Sequence, residues 1–373
     1  MFPLNTVDTT RIPYDTAVDL SVTVSRMQWP KPDMEKAPKV IILVPDEHFP
    51  YAFAATSLVH DPIMGNLLFT PVNELASPTR QEIERLDPPG TNSVPPIIAV
   101  GPFAAQVIRE IESMGYDVLH ITGKNVFATA VKVAKLREQL TPESPEGPVS
   151  LFILSADNPY EGILATYYAT HSGVPILLTH KDRLPRATAT ALQDMADKNV
   201  YIVGSKHSVS DSVAREISSI VEPPVRRIAG EDPFETSVEF STYYDPATKL
   251  GWNRNRKGLG DAFTFGNITR WDLILAASAM AHQGKHTPLL LVEADCAPPV
   301  VLNYLQYLKP PLRMPPMPPF MHGFILGTPK IIGLTTQADI EEALKIDEQP
   351  EKKQAMHPDP DTWREETAPP EEQ

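Results

Sequence analysis

The chain is poor in cysteine, in positive charge and in long apolar runs, and each shortage excludes something. One cysteine, Cys296, stands among 373 residues, so no intramolecular disulfide can form and cysteine usage does not identify a redox compartment. Lys and Arg number 33 against 47 Asp and Glu, a formal net charge of −14. That balance argues against a nucleic-acid backbone or an anionic membrane surface as partner, because both need clustered cations. A few arginines focused in a cleft could still grip an anionic polymer. No run approaches the roughly 18–20 apolar residues of a membrane span, so no membrane insertion is expected. The segment Met1-Phe-Pro-Leu-Asn-Thr-Val-Asp has neither the basic region nor the apolar core of a signal peptide. If Met1 is the native start, this reading expects a cytoplasmic protein.

Catalytic and cofactor signatures are equally scarce. The nearest approach to a dinucleotide turn, Gly258-Leu-Gly260-Asp-Ala-Phe263, precedes a strand and lacks the third glycine. No Walker loop and no Gly-x-Ser-x-Gly elbow is present, and Cys296 sits beside Pro298 and Pro299 with no motif around it. His282 and His286 stand four apart, but Gly284 lies between them and no HExxH glutamate accompanies them. They are read as capping or following a helix end, with no metal site and no cofactor expected. Gly101, Gly204 and Gly327 each lie between a strand and a helix. Such glycines either present N–H groups to an anion or simply make a tight turn; the turn is the preferred reading.

What the chain has instead is repetition. Thr-Arg-Ile-Pro-Tyr-Asp-Thr-Ala-Val at 10–18 returns as His-Ile-Thr-Gly-Lys-Asn-Val-Phe-Ala-Thr-Ala-Val at 120–131 and as Arg-Ile-Ala-Gly-Glu-Asp-Pro-Phe-Glu-Thr-Ser-Val at 227–238. A strand followed by a small-residue helix recurs at Val40–Val44 and Tyr51–Val59, Leu151–Ser155 and Tyr160–Ala169, and Ala262–Gly266 and Trp271–Ala281. A strand containing Leu-Leu recurs at Asn66–Thr70, Pro175–Thr179 and Pro288–Val292. Three markers in one order at one period mean tandem units. Short apolar strands alternating with helices predict an α/β fold with parallel sheets. The unit limits are read as 1–119, 120–226 and 227–346, with 347–373 a disordered acidic, Pro-rich tail. The central helices and Leu-Leu strands are too apolar for a surface and should pack near a common axis. Unit three lacks a fourth strand after its last helix, whereas Val7–Ile12 is a strand-like segment with no unit ahead of it. Pairing the two would cover an open edge and close a ring.

Arg-Ile-Ala-Gly-x-x-x-x-Glu-Thr-Ser at 227–237, Val-Pro-Ile-Leu-Leu-Thr-x-x-x-x-Leu-Pro at 174–185 and Val-Tyr-Ile-Val-Gly at 200–204 resemble the type 2 cell-wall-binding repeat family. The resemblance spans roughly Thr10 to Leu344 and is strongest in the middle unit. It implies three tandem Rossmann-like repeats about a pseudo-threefold axis. It also implies a non-catalytic binding or scaffold function at the cell surface, with an anionic cell-wall polymer or a protein as partner. A homo-oligomer is among the assemblies open to such a chain. The family's acidic position, at the start of the second helix, corresponds to Glu161 and Asp272 and to Tyr51 in the first unit. The candidate ligand-binding set is Arg11, Glu161, Arg183, Arg227, Arg270 and Asp272, since a guanidinium suits carboxylate or phosphate. The competing use of these residues is an internal pair, Arg11 or Arg227 with Glu161 or Asp272 across a unit junction. The competing function is a cytoplasmic α/β enzyme or small-molecule binder working through one degenerate unit, near Asp46–His48 or Ile268–Asp272.

Overall fold

The structure, a computed structural model, describes residues 4–32, 37–141, 150–283, 286–310 and 320–346. The tail read as disordered, 347–373, lies outside the described residues. After the first strand, β1 (Thr9–Ile12), helix α1 (Ala17–Gln28) leads into β2 (Val40–Pro45), α2 (Phe49–Ala55) with a 3-10 turn (Thr56–Leu58), β3 (Gly65–Thr70), α3 (Ser77–Leu86), β4 (Ile97–Val100), α4 (Ala105–Ser113) and β5 (Val118–Ile121). The same order returns as α5 (Val126–Leu140), β6 (Ser150–Ser155), α6 (Ile163–Ser172), β7 (Ile176–Thr179), α7 (Arg186–Asp194), β8 (Asn199–Val203), α8 (Asp211–Ser218) and β9 (Arg226–Ile228). The third pass is α9 (Pro233–Thr242), β10 (Ala262–Asn267), α10 (Trp271–Ala276), α11 (Met280–Gln283), β11 (Leu289–Val292), α12 (Pro299–Leu308), β12 (His322–Leu326) and α13 (Leu334–Leu344).

These strands form three four-stranded sheets, ordered β3-β2-β4-β5, β7-β6-β8-β9 and β1-β12-β10-β11, and every pairing is parallel. Parallel sheets need cover on both faces, and the Leu-Leu pairs show how it is supplied. Leu67, Leu178, Leu289 and Leu291 face one core shared by all three units. Their neighbours Leu68, Leu177 and Leu290 face three separate outer cores. The period-two alternation of a strand thus divides each pair between the body's axis and its unit's own outer helices. Leu178 and Leu290 are fully buried, and truncating a leucine of this kind to alanine costs about 2–5 kcal/mol.

The axis is made by α2 with its 3-10 turn, α6 and α10, which pack on one another. Tyr167 of α6 donates its hydroxyl hydrogen to the Ile274 carbonyl of α10 at 3.0 Å, and the rings of Phe49 and Trp271 meet edge to face at 5.8 Å. The third of these helices is shorter than its apolar run predicts, because the chain turns at Ala277 and resumes as α11. Among the described residues no helix is long and apolar enough to cross a membrane.

The ring closes as expected, through β1. Thr9, Thr10, Arg11 and Ile12 pair in parallel with Gly323, Phe324, Ile325 and Leu326 of β12. Side chains reinforce the join. The Asp8 amide donates to Glu341 at 3.1 Å, and the Gln337 amide reaches the Leu4 carbonyl at 3.0 Å and the Thr9 hydroxyl at 2.9 Å.

Candidate functional site

At the carboxyl end of each sheet one clamp is built three times. The strand second from the edge exits through a glycine of positive φ: Gly101 at 132°, Gly204 at 125° and Gly327 at 91°, angles that carry little cost without a β-carbon. Each glycine donates its N–H to the edge strand, to Ile121, Ile228 and Ile12 respectively, at 3.0 Å. Each glycine carbonyl is bound by a side chain of that strand: His120 Nε2 at 2.8 Å, Arg227 Nη1 at 2.7 Å and Arg11 Nη1 at 2.8 Å. The glycine N–H groups are therefore committed to the sheet, which favours the tight-turn reading over an anion hole. The same contact explains why a basic residue stands before isoleucine in all three copies of the repeat marker.

The six candidate residues do not converge. Arg11 is buried and gives its remaining donors to Gln337 Oε1, from Nε at 3.0 Å and Nη2 at 2.7 Å. Burial without a carboxylate partner lowers its pKa to about 10. Arg227 lies within electrostatic reach of Glu161, but its ion pair is with Asp211 at 3.6 Å. Glu161 is buried and accepts from the Ser205 amide and hydroxyl, each at 3.0 Å, from the Ser208 hydroxyl and from Thr236 Oγ1 at 3.1 Å. Since Thr236 belongs to α9, this carboxylate joins the second unit to the third. Asp272 is held by its near neighbour Arg270 in a two-pronged pair, Nε to Oδ1 at 2.9 Å and Nη2 to Oδ2 at 2.7 Å. The same Arg270 Nη2 reaches the Asp15 carbonyl at 2.6 Å, a link from the third unit to the first. Hydrogen bonding to Asp272 raises the Arg270 pKa. The pairs anticipated for Arg11 and Arg227 with Glu161 or Asp272 do not form: Arg11 bonds Gln337 and Gly327 of the third unit, and Arg227 pairs with the nearby Asp211.

Arg183 is placed differently. It is exposed and lines a cleft of about 260 Å³ with Lys124, Asn125, Phe127, His180 and Arg186. The cleft is formed where the loop after β7 meets the amino end of α5. Asn125 caps that helix by accepting from the Ala128 amide at 2.9 Å, so the positive end of a fifteen-residue helix adds to three cationic side chains. His180 forms one wall, its ring 4.6 Å from Phe127 and its Nδ1 2.7 Å from Asp157 Oδ1. Burial raises the Asp157 pKa, but the Lys181 amide, His180 and Arg183 outweigh it and hold the carboxyl below its ordinary value. Lys124, His180 and Arg186 were not singled out in the sequence. Their signals were present, in Gly-Lys-Asn before a helix and in Leu-Pro-Arg after a strand, but 59 residues separate Lys124 from Arg183.

Residues 120–214 match the family model described as Cell wall binding domain 2 (CWB2). Over 289 residues the chain is 27% identical to the amidase enhancer of Bacillus subtilis, covering 76% of this chain and 34% of that protein. Over 122 residues it is 30% identical to the N-acetylmuramoyl-L-alanine amidase LytC of Bacillus subtilis, covering 33% of this chain and 23% of the enzyme. The chain thus spans about a third or less of the length of these relatives. Cwp6 from Clostridium difficile superposes with a TM-score of 0.72 at 17% identity, over 92% of this chain and 49% of its own. Cwp8 from Clostridium difficile does so at 0.70 and 19% identity, over 91% of this chain and 52% of its own. At these identities the structural likeness is one of fold. The middle unit thus carries a sequence match to Cell wall binding domain 2 (CWB2), and the three-sheet body shares the fold of Cwp6 and Cwp8.

Proposed function

We propose that this chain is a non-catalytic, cell-wall-associated binding or scaffold protein, and that the cleft around Arg183 holds an anionic wall polymer. The observation that carries the reading is local charge reversal. On a chain of net charge −14, Lys124, Arg183 and Arg186 converge on one helix amino terminus beside a concave surface. Two guanidinium forks can each take a phosphate or carboxylate edge-on, Lys124 adds a movable cation, and Phe127 and Pro185 supply an apolar floor for a sugar ring. Arg11, Arg227, Glu161, Arg270 and Asp272 serve in this reading as the frame that holds the strand ends and unit junctions in place. The units are taken as 1–119, 120–226 and 227–346, the first lending β1 to the third.

Binding to purified wall material, with its anionic polymer intact or stripped, tests the proposal. The pair of substitutions Arg183→Glu and Arg186→Glu should weaken binding by about 10–100-fold, the effect of losing one or two charge-assisted contacts. Parent binding should also fall with added salt. Undiminished binding by the double variant, or equal binding to stripped walls, would overturn the assignment.

A further inference from the structure

Four of the ten histidines gather at one pole of the pseudo-threefold axis, and the unit repeat is what gathers them. His60 follows the 3-10 turn that ends the first axial helix, His171 lies in the last turn of α6, and His282 lies in α11, which prolongs the third. The same place in each unit therefore presents an imidazole to the axis. His286, in the loop before β11, adds a fourth. The rings of His60 and His282 are 4.7 Å apart, and Nδ1 of His171 lies 3.0 Å from Nδ1 of His286.

We propose that His60, His171, His282 and His286 are the ligands of a divalent transition metal of the zinc class, which ties the three units together at this pole of the axis. Three observations support it. First, both ring nitrogens of His282 are shielded from solvent and have no hydrogen-bond partner, a costly state for a group that can always accept at one nitrogen and donate from the other. Second, His60 is arranged as metal-bound histidines commonly are. Its Nδ1 lies 3.0 Å from the Asp61 carbonyl and 3.5 Å from Arg137 Nη2; the shorter contact needs the proton on Nδ1, which leaves Nε2 with its lone pair free. Third, the 3.0 Å between the nitrogens of His171 and His286 is close to the ~3.3 Å that two ligands at ~2.05 Å subtend in a tetrahedral zinc site.

The surroundings keep the imidazoles neutral, the form that ligates. Burial and the neighbouring histidines push His171 and His282 down to about 4. The nearby cation Arg137 is engaged by carbonyls, from Nε to Gly173 at 3.1 Å and from Nη1 to His60 at 3.4 Å, so it also pins two of the histidine-bearing turns. Asp61 offsets part of its charge at His60 and His282. Trp252, stacked on His171 at 5.0 Å, closes one side. The four rings stand as two adjacent pairs, and no three of their nitrogens lie close enough to share an ion as they stand, so binding requires side-chain rotation within the cluster. Glu293, Asp295 and Cys296 do lie close enough to share an ion as they stand. That trio is exposed, and it serves here as the control.

Tag-free, full-length protein stripped with a chelator should take up one equivalent of zinc, gain several degrees in Tm, and with Co2+ show the visible bands of a four-coordinate nitrogen site. His171→Ala and His282→Ala should each weaken zinc at least tenfold, and His171→Gln and His282→Asn should do the same while keeping the metal-free Tm nearer the parent's. Cys296→Ser should change nothing. The proposal fails if the parent takes up no stoichiometric zinc, if the histidine variants bind as the parent does, or if Cys296→Ser abolishes binding.

Discussion

The second and third units share a plan and differ in two places, how the sheet is completed and what charge its cleft carries. The middle unit's sheet takes its fourth strand, β9, from the stretch that follows it directly in sequence, and Arg227 at that strand's centre has a side chain 25% exposed and paired with Asp211. In the third unit the fourth strand is the chain's own start, and Arg11 is 4% exposed with Gln337 as its partner. A strand brought from more than 300 residues away in sequence pays a large closure entropy, and its arginine is buried and hydrogen-bonded on every side. The second difference concerns the loops at corresponding helix starts. Where the middle unit has Lys124, Arg183 and Arg186, the third has Glu231, Asp232, Glu293 and Asp295. One scaffold thus presents a basic cleft in one unit and an acidic edge in its counterpart. Repetition of the fold therefore does not mean repetition of the site.

That comparison can be broken most directly by removing residues 1–12. The loss exposes an edge of β12 and deprives Gln337 and Glu341 of their partners, so destabilisation by several kcal/mol is expected. Hydrogen exchange should show it first across His322–Leu344; unchanged protection there would mean that β1 does not support the third sheet. A smaller effect is expected from Glu161→Gln. The amide offers one acceptor oxygen to donors that now share two, and its NH2 faces hydroxyls and an amide already donating, a cost of about 2–3 kcal/mol by chemical denaturation. The comparison is sharpened by setting Arg11→Ala beside Arg227→Ala. Both break the glycine clamp, but only the first strands a buried amide, so it should be the more damaging by about 1–2 kcal/mol. Equal losses would mean that the burial difference carries no energetic weight.

Much of this body is legible residue by residue. Strand, small-residue helix and Leu-Leu strand announce the three sheets, because a parallel strand covered on both faces must be apolar throughout. The spare strand before the first helix and the missing one after the last announce the closure. The clamp was half visible: the recurring basic residue, isoleucine and glycine pattern is in the text, but the bond between Arg227 and Gly204 spans 23 residues and no local rule connects them. Arg11, Arg227 and Arg270 read as ligand-facing arginines because composition does not distinguish a guanidinium turned to a carbonyl or a near carboxylate from one turned to solvent. The break between α10 and α11 also went unread, since the apolar run continues through it.

What the amino-acid sequence alone determined is the unit, its threefold repetition and the way the ring closes, because periodicity and strand count are properties of the chain taken in order. Only the tertiary structure decided which side chains are free to act. Lys124 meets Arg183 and Arg186 because α5 packs on β7, and four histidines meet because three helix ends reach the axis together. Electrostatic focusing and metal ligation act over a few ångströms of space, a distance that separation along the chain does not report.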